Sequence, residues 1–288
     1  MRVVSFDRVY RVSSAQRPVA PEAFDALEAQ LGHPLPPGYR PWLESFGEGT
    51  YCDLLHVVPP DRVQALSERL ARRLRARGSA ATDAEWVSEA DWEALRVFAV
   101  STDGAVLVTG PADRTRLRVL SPEAAHPWWV PDGFFEPLEW RSAGGLVREP
   151  PRLRFFEPWA RRQRLHLEAT DHTVATAHQA ILRHLPGEVH VVEQTSRRHV
   201  FLAAHLGAIV RLEARPAAKE VVLALDVDAG RLEAAERLAG ALAPAGFVER
   251  GRCARGRPRE IGEGTDCDLL HVVPPDRVQA LSERLARR

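Results

Sequence analysis

The tryptophans of this chain stop where most of its histidines begin, and that shift limits the fold more than any other feature. All seven Trp residues lie at or before Trp159, while seven of the eleven His residues fall between His166 and His205. Between them runs REPPRLRFFEPWARR, with Pro150, Pro151 and Pro158. A composition shift across a proline-rich junction marks a domain boundary. The sequence therefore predicts a first domain over 1–155, a second over 160–252 and a remainder over 253–288. A chain of 288 residues with 45% hydrophobic content has room and material for two such cores.

The first region opens with a predicted strand, RVVSFDRVYRV. APEAFDALEAQLG follows as a helix: Phe24, Leu27 and Leu31 share a face, Pro21 suits its first turn and Gly32 its stop. In PLPPGYRPWLESFG the prolines can begin a helix but not lie inside one, and Tyr39, Leu43 and Phe46 then recur at helical spacing. Gly47 and Gly49 allow a sharp turn into YCDLLHVV, expected as one strand. PDRVQALSERLARRLRARG reads as a helix with Val63, Leu66, Leu70 and Leu74 inward and its arginines in water. RVFAVSTDGAVLVTG is a hairpin about Asp103-Gly104, and TRLRVLS a further strand. The aromatic-rich HPWWVPDGFFEPLEW is expected to be partly helical.

The amphipathic helix, Leu35-Pro36, Tyr39, Leu43, Gly47 and Gly49 together resemble the SUKH superfamily, the Smi/Knr-like group. The Asp103-Gly104 hairpin and GFFEPLEW look like the middle and end of the same family, so the likeness spans roughly residues 18–142. After its Asp-Gly turn this chain has Ala105-Val106, where the family commonly carries a second Gly and an acidic residue. The resemblance implies a mixed or antiparallel sheet packed by helices, and a protein that binds partners without chemistry of its own. Many bacterial members of the family look like immunity proteins that neutralise a cognate toxin, often a nuclease. Its fungal members regulate cell-wall synthesis and signalling.

The second region alternates strand QRLHLEA, helix TVATAHQAILRHL, strands EVHVVEQ, HVFLAAH, AIVRLEA and EVVLALDVD, helix RLEAAERLAGAL and strand FVERG. Helices between antiparallel-type strands make this a second α+β domain, with a ferredoxin-like sandwich as the expected topology. The fold class of the whole chain is α+β.

The search for chemistry returns little. His166, His172, His178, His184 and His190 are six apart, which does not stack two ligands on one helix face. Cys52, Cys253 and Cys267 form no CxxC pair, so neither zinc nor a disulfide framework is implied. No P-loop, G-x-S-x-G or G-x-G-x-x-G occurs. Asp226 and Asp228 at a strand end are suited to Mg²⁺, but Asp228 also reads as the cap of the helix near Arg231. No catalytic residue, metal or cofactor is expected. Acidic and basic residues balance at 39 each, which gives no drive toward nucleic acid or anionic membrane. The charged start lacks the apolar core of a signal peptide and no apolar run reaches membrane-spanning length, so a cytoplasmic location is expected.

Partner binding is the remaining class. TDAEWVSEADWEAL carries Asp83, Glu85, Trp86, Glu89, Asp91 and Trp92, and Trp128-Trp129 lie further on. Trp anchors interface hot spots, and an acidic stretch complements the basic groove of a nuclease toxin. These eight residues are the expected contact set, although each Trp taken alone reads first as ordinary core packing. A regulatory scaffold unrelated to toxins is the alternative. An enzyme built on Asp226, Asp228 and a histidine is a third reading.

The stretch from Gly47 to Arg73 recurs from Gly262 to Arg288 with a single change, Tyr51 against Asp266. A unit this short cannot bury enough surface to fold alone. Identity at surface as well as core positions points to a recent duplication with no selected function. Docking on the second domain, or replacement of the original, are the structural alternatives.

Overall fold

The computed structural model describes residues 8–77, 89–101, 104–120, 128–129, 134, 153–159, 162–215 and 220–255. They divide into two compact units, and the division is not sequential. Residues 8–16 belong with 153–255 in the second unit, and the described residues of the first unit start at Arg17. Both units combine helices and sheet, so the chain is mixed α+β.

In the first unit α1 (Pro21–Leu31) starts on Pro21 and ends at Gly32 in the left-handed conformation, φ 69°. It buries Phe24 and Leu27. The following helix, α2 (Tyr39–Phe46), buries Tyr39, Trp42, Leu43 and Phe46. The expected single strand YCDLLHVV is instead a hairpin of β2 (Gly49–Tyr51) and β3 (Leu55–Val57), with Tyr51 opposite Leu55. Its reversal is made by Cys52 and Asp53 at φ 51° and 56°. Neither is glycine, so the turn carries no ordinary signal; aspartate tolerates the left-handed region better than most residues.

Helix α3 (Pro60–Arg77) buries Val63, Ser67, Leu70, Ala71 and Leu74. The Ser67 hydroxyl donates to Val63 O at 2.6 Å and accepts from the Val97 N–H at 3.0 Å. That side chain ties α3 to β4 (Arg96–Ser101) where the pairing with β5 (Val106–Thr109) shifts register between Val97 and Ala99. β4 and β5 form the expected hairpin, with Gly104 at φ 87°. β6 (Arg118–Leu120) follows, and β7 (Trp128–Trp129) pairs with it. Residues 128–129 are thus strand, where the aromatic segment was expected to be partly helical. From β2 to β7 each strand is hydrogen-bonded antiparallel to the next.

The second unit holds a six-stranded antiparallel sheet in the order β10-β11-β12-β13-β9-β14. These strands are β9 (Arg162–Thr170), β10 (Val189–Gln194), β11 (Arg198–Ala203), β12 (Ala208–Arg215), β13 (Glu220–Asp228) and β14 (Phe247–Arg255). Pairing of β14 with β9 continues to Arg255 opposite Arg162, so residues 253–255 extend a strand instead of opening a linker. Helix α4 (Val174–Leu182) begins at Thr173, which forms a capping box with Thr176; α5 (Leu232–Leu242) precedes β14. Leu165, Leu167, Leu223, Leu225 and Val227 pack with Ile181 and Leu238 of these helices in one core.

The opposite face of that sheet has its own cover. β1 (Tyr10–Arg11) pairs in parallel with β8 (Phe155–Pro158), Tyr10 opposite Phe155. Val12 and Phe155 pack with Val192, Val200, Leu202 and Ile209 in a second core cluster. Among the described residues no helix is long and apolar enough to cross a membrane.

Candidate functional site

The six residues that carry the family likeness are interior parts of the first unit: Leu35, Pro36, Tyr39, Leu43, Gly47 and Gly49 are all buried. Leu35 N–H donates to Glu28 Oε1 at 3.0 Å and closes the α1–α2 connection. Tyr39 is the hub. Its ring meets Phe24, Phe98 and Phe134 edge-on at centroid distances of 6.0, 5.0 and 5.2 Å. Its hydroxyl donates to Val58 O at 2.6 Å. Burial, helped by the Asp61 charge, pushes that hydroxyl well above its ordinary pKa, so it stays a donor.

Gly47 ends α2 at φ 70°, ψ −154°, a region open to glycine almost alone. A Cβ there would lie 2.1 Å from the backbone oxygen of Arg17. Gly47→Ala is therefore expected to cost about 3 kcal/mol or more, because the atoms it would meet are all backbone and cannot swing aside. Urea denaturation of the variant measures it; a loss below about 1 kcal/mol would mean the turn relaxes freely.

The expected contact set divides. Asp83, Glu85 and Trp86 lie outside the described residues. Glu89 begins a short 3₁₀ segment, Glu89–Ala94, that also holds Asp91 on a partly exposed position. Trp92 is 1% exposed and packs inside, so it serves the core and is not available as a surface anchor. Trp128 and Trp129 occupy β7. On the same 3₁₀ turn the exposed Glu93 carboxylate accepts a hydrogen bond from Arg75 of α3.

Among the described residues, a dense assembly of buried charge that the sequence did not announce lies within the second unit. Six side chains alternate in sign along a single line. Asp228 Oδ1 accepts from Arg162 Nη1 at 2.8 Å, and Arg162 Nη2 donates to Glu157 Oε1 at 3.2 Å. Glu157 Oε2 accepts from Arg211 Nη2 at 3.0 Å, and Arg211 Nη1 donates to Asp226 Oδ2. Asp226 then accepts from Arg164 at 2.6 and 2.7 Å in a fork. The Glu157, Arg162 and Asp226 side chains are 0% exposed, whereas the end members Asp228 and Arg164 reach solvent at 21% and 27%.

Strand register puts these groups together. Arg162 and Arg164 on β9 stand opposite Asp228 and Asp226 on β13, Arg211 stands one strand further on β12, and Glu157 comes from β8. Arg162 also donates to the backbone oxygens of Asp226 and Gly207. Burial this deep makes each charge costly alone and strongly held in a pair. The chain of charges is neutral in sum, so it closes a gap between β8 and the sheet without leaving a free ion.

The cap expected of Asp228 is corrected here, and the Mg²⁺ alternative finds both carboxylates already occupied. Asp228 does precede a 3₁₀ turn, Ala229–Arg231, but its side chain makes no cap; it is taken by Arg162. Asp226 and Asp228 do not stand ready for Mg²⁺, since guanidinium groups hold both. Among the described residues no group of three His, Cys, Asp or Glu is placed to hold a metal ion.

No family model, curated protein or solved structure matches this chain.

A smaller polar pair lies on the helix side of the same sheet. His178 of α4 and His199 of β11 are 5% and 4% exposed, and their Nδ1 atoms are 2.8 Å apart. One ring donates and the other accepts, so the contact requires at least one neutral imidazole. The His178 ring also stacks on Phe201 at 4.7 Å. Burial lowers the pKa of both, and for His178 the neighbouring His199 lowers it further; for His199 the Thr195 backbone and Glu193 act in the opposite sense. The folded state thus binds fewer protons than the unfolded chain just below the ordinary histidine value of 6.5. Stability is expected to be full above that pH and to fall as the pH drops below it. Replacing His178 with Phe and His199 with Leu should flatten the change in urea midpoint between about pH 7 and 5. An unaltered slope would show that the pair does not contribute.

Proposed function

We propose that the chain is a non-enzymatic binding module of the SUKH, Smi/Knr-like type that acts as an immunity protein, holding a cognate toxin in the cytoplasm. One observation carries the reading. The six motif residues between Leu35 and Gly49 are all buried, with Tyr39 as the hub of an aromatic cluster. A motif used that way builds a rigid support and leaves recognition to the surface around it. The acidic run at Asp83, Glu85, Glu89 and Asp91 has the charge that fits the basic substrate groove of a nuclease toxin. The second unit reads as a ferredoxin-like core, β12-β13-β9-β14 with α4 and α5, extended by the β10–β11 hairpin.

The test is co-expression with the toxin encoded beside its gene. Protection of growth and a stable complex of the purified proteins are expected. Reversing the four acidic charges should weaken that complex about a hundredfold or more, mostly at low salt. A complex untouched by the reversal, or turnover of any substrate by the purified protein, would end this reading.

A further inference from the structure

The repeated sequence gains meaning from what its first copy does. Residues 47–73 supply β2, β3 and most of α3, and β3 is hydrogen-bonded on one side to β2 and on the other to β4. Leu54, Leu55, Val57, Val58, Val63 and Leu70 are all buried. Every one of these side chains recurs in the copy at 262–288. The first unit therefore has a slot for which the chain carries two nearly equal occupants.

The one difference falls at the least tolerant place. Tyr51 is 0% exposed and meets Trp42 edge-on at 5.3 Å, and Trp42 in turn packs on Phe46 at 4.5 Å. The copy has Asp266 at that position. In the slot, the aspartate would lose the ring contact, leave a void and take a carboxylate out of water among aromatic rings. Surface differences between two competitors would shift an exchange only slightly; this one shifts it by about a thousandfold or more.

We propose that Asp266 bars the C-terminal copy from the place held by residues 47–73, and so prevents exchange of this segment within a chain or between two copies of the chain. Without it, an equal competitor held on the same polypeptide would be present at high effective concentration, the condition under which identical elements swap.

The test uses the full chain, unfolded in urea and refolded at high and low protein concentration. Wild type is expected to return as it was. Asp266→Tyr is expected to raise the fraction of concentration-dependent dimer about tenfold or more by light scattering. Tyr51→Asp alone should unfold the first unit, and Tyr51→Asp combined with Asp266→Tyr should restore it, because the copy then carries the tyrosine. That rescue should vanish when the chain ends at residue 255. The proposal is overturned if Asp266→Tyr refolds like wild type and the double variant is no more stable than Tyr51→Asp.

Discussion

Replacing Glu157 with alanine is expected to destabilise the second unit by about 3–5 kcal/mol. Glu157 is the middle carboxylate of the buried charge line and pairs with Arg162 on one side and Arg211 on the other. Arg162 is 0% exposed, so its charge cannot turn to water when Glu157 is gone. It would be left with Asp228 and backbone oxygens, while Arg211 would keep only Asp226 of these two carboxylates. Glu157→Gln keeps the shape and removes the charge, so it separates electrostatics from packing. Both should lower the urea midpoint with little change in its slope. A loss under about 1 kcal/mol for both would mean that water replaces the carboxylate and that the line is not sealed.

Removing residues 8–16 is expected to have an effect as large. A short leading segment ordinarily contributes little. Here Tyr10 N–H donates to Arg154 O at 2.9 Å and Val12 N–H to Phe156 O at 3.0 Å, which makes β1 a partner of β8. Val12, 4% exposed, also covers the cluster of Val192, Val200, Leu202 and Ile209. Without the segment β8 loses a neighbour and that apolar face meets water. Burying one such side chain is worth about 1.5–3 kcal/mol, so the total loss should reach several kcal/mol. Hydrogen exchange of the β11 and β12 amides is the direct readout. If their protection is unchanged, the segment is an ornament on a sheet that stands without it.

The elements of this chain were largely legible in its sequence, and the reasons are local. Pro21 and Gly32 bracket α1 because proline fits a first turn and glycine a left-handed stop. Leu165, Leu167 and Ala169 alternate with polar residues in β9 because one face meets the helices. What escaped was decided by distant partners. Arg162 and Arg164 lie on the other face, and nothing nearby in the sequence announces that β8 covers Arg162. Phe155-Phe156-Glu157 was the available hint: a carboxylate in a wholly buried strand needs a cation, and the strand that follows it offers two. The β2–β3 reversal was missed because Cys52 and Asp53 adopt positive φ without glycine. Of the candidate contact residues, Trp92 went to the core, as a bulky apolar ring commonly does.

The pairing of β1 with β8 has a consequence for synthesis. Tyr10 leaves the ribosome long before Phe155, with the described part of the first unit between them. At about 5–20 residues per second, the wait is on the order of ten seconds. During it the first unit can close on itself, while the segment around Tyr10 and Val12 has no strand to join. The second unit is therefore completed late, around a strand made before residues 17–150.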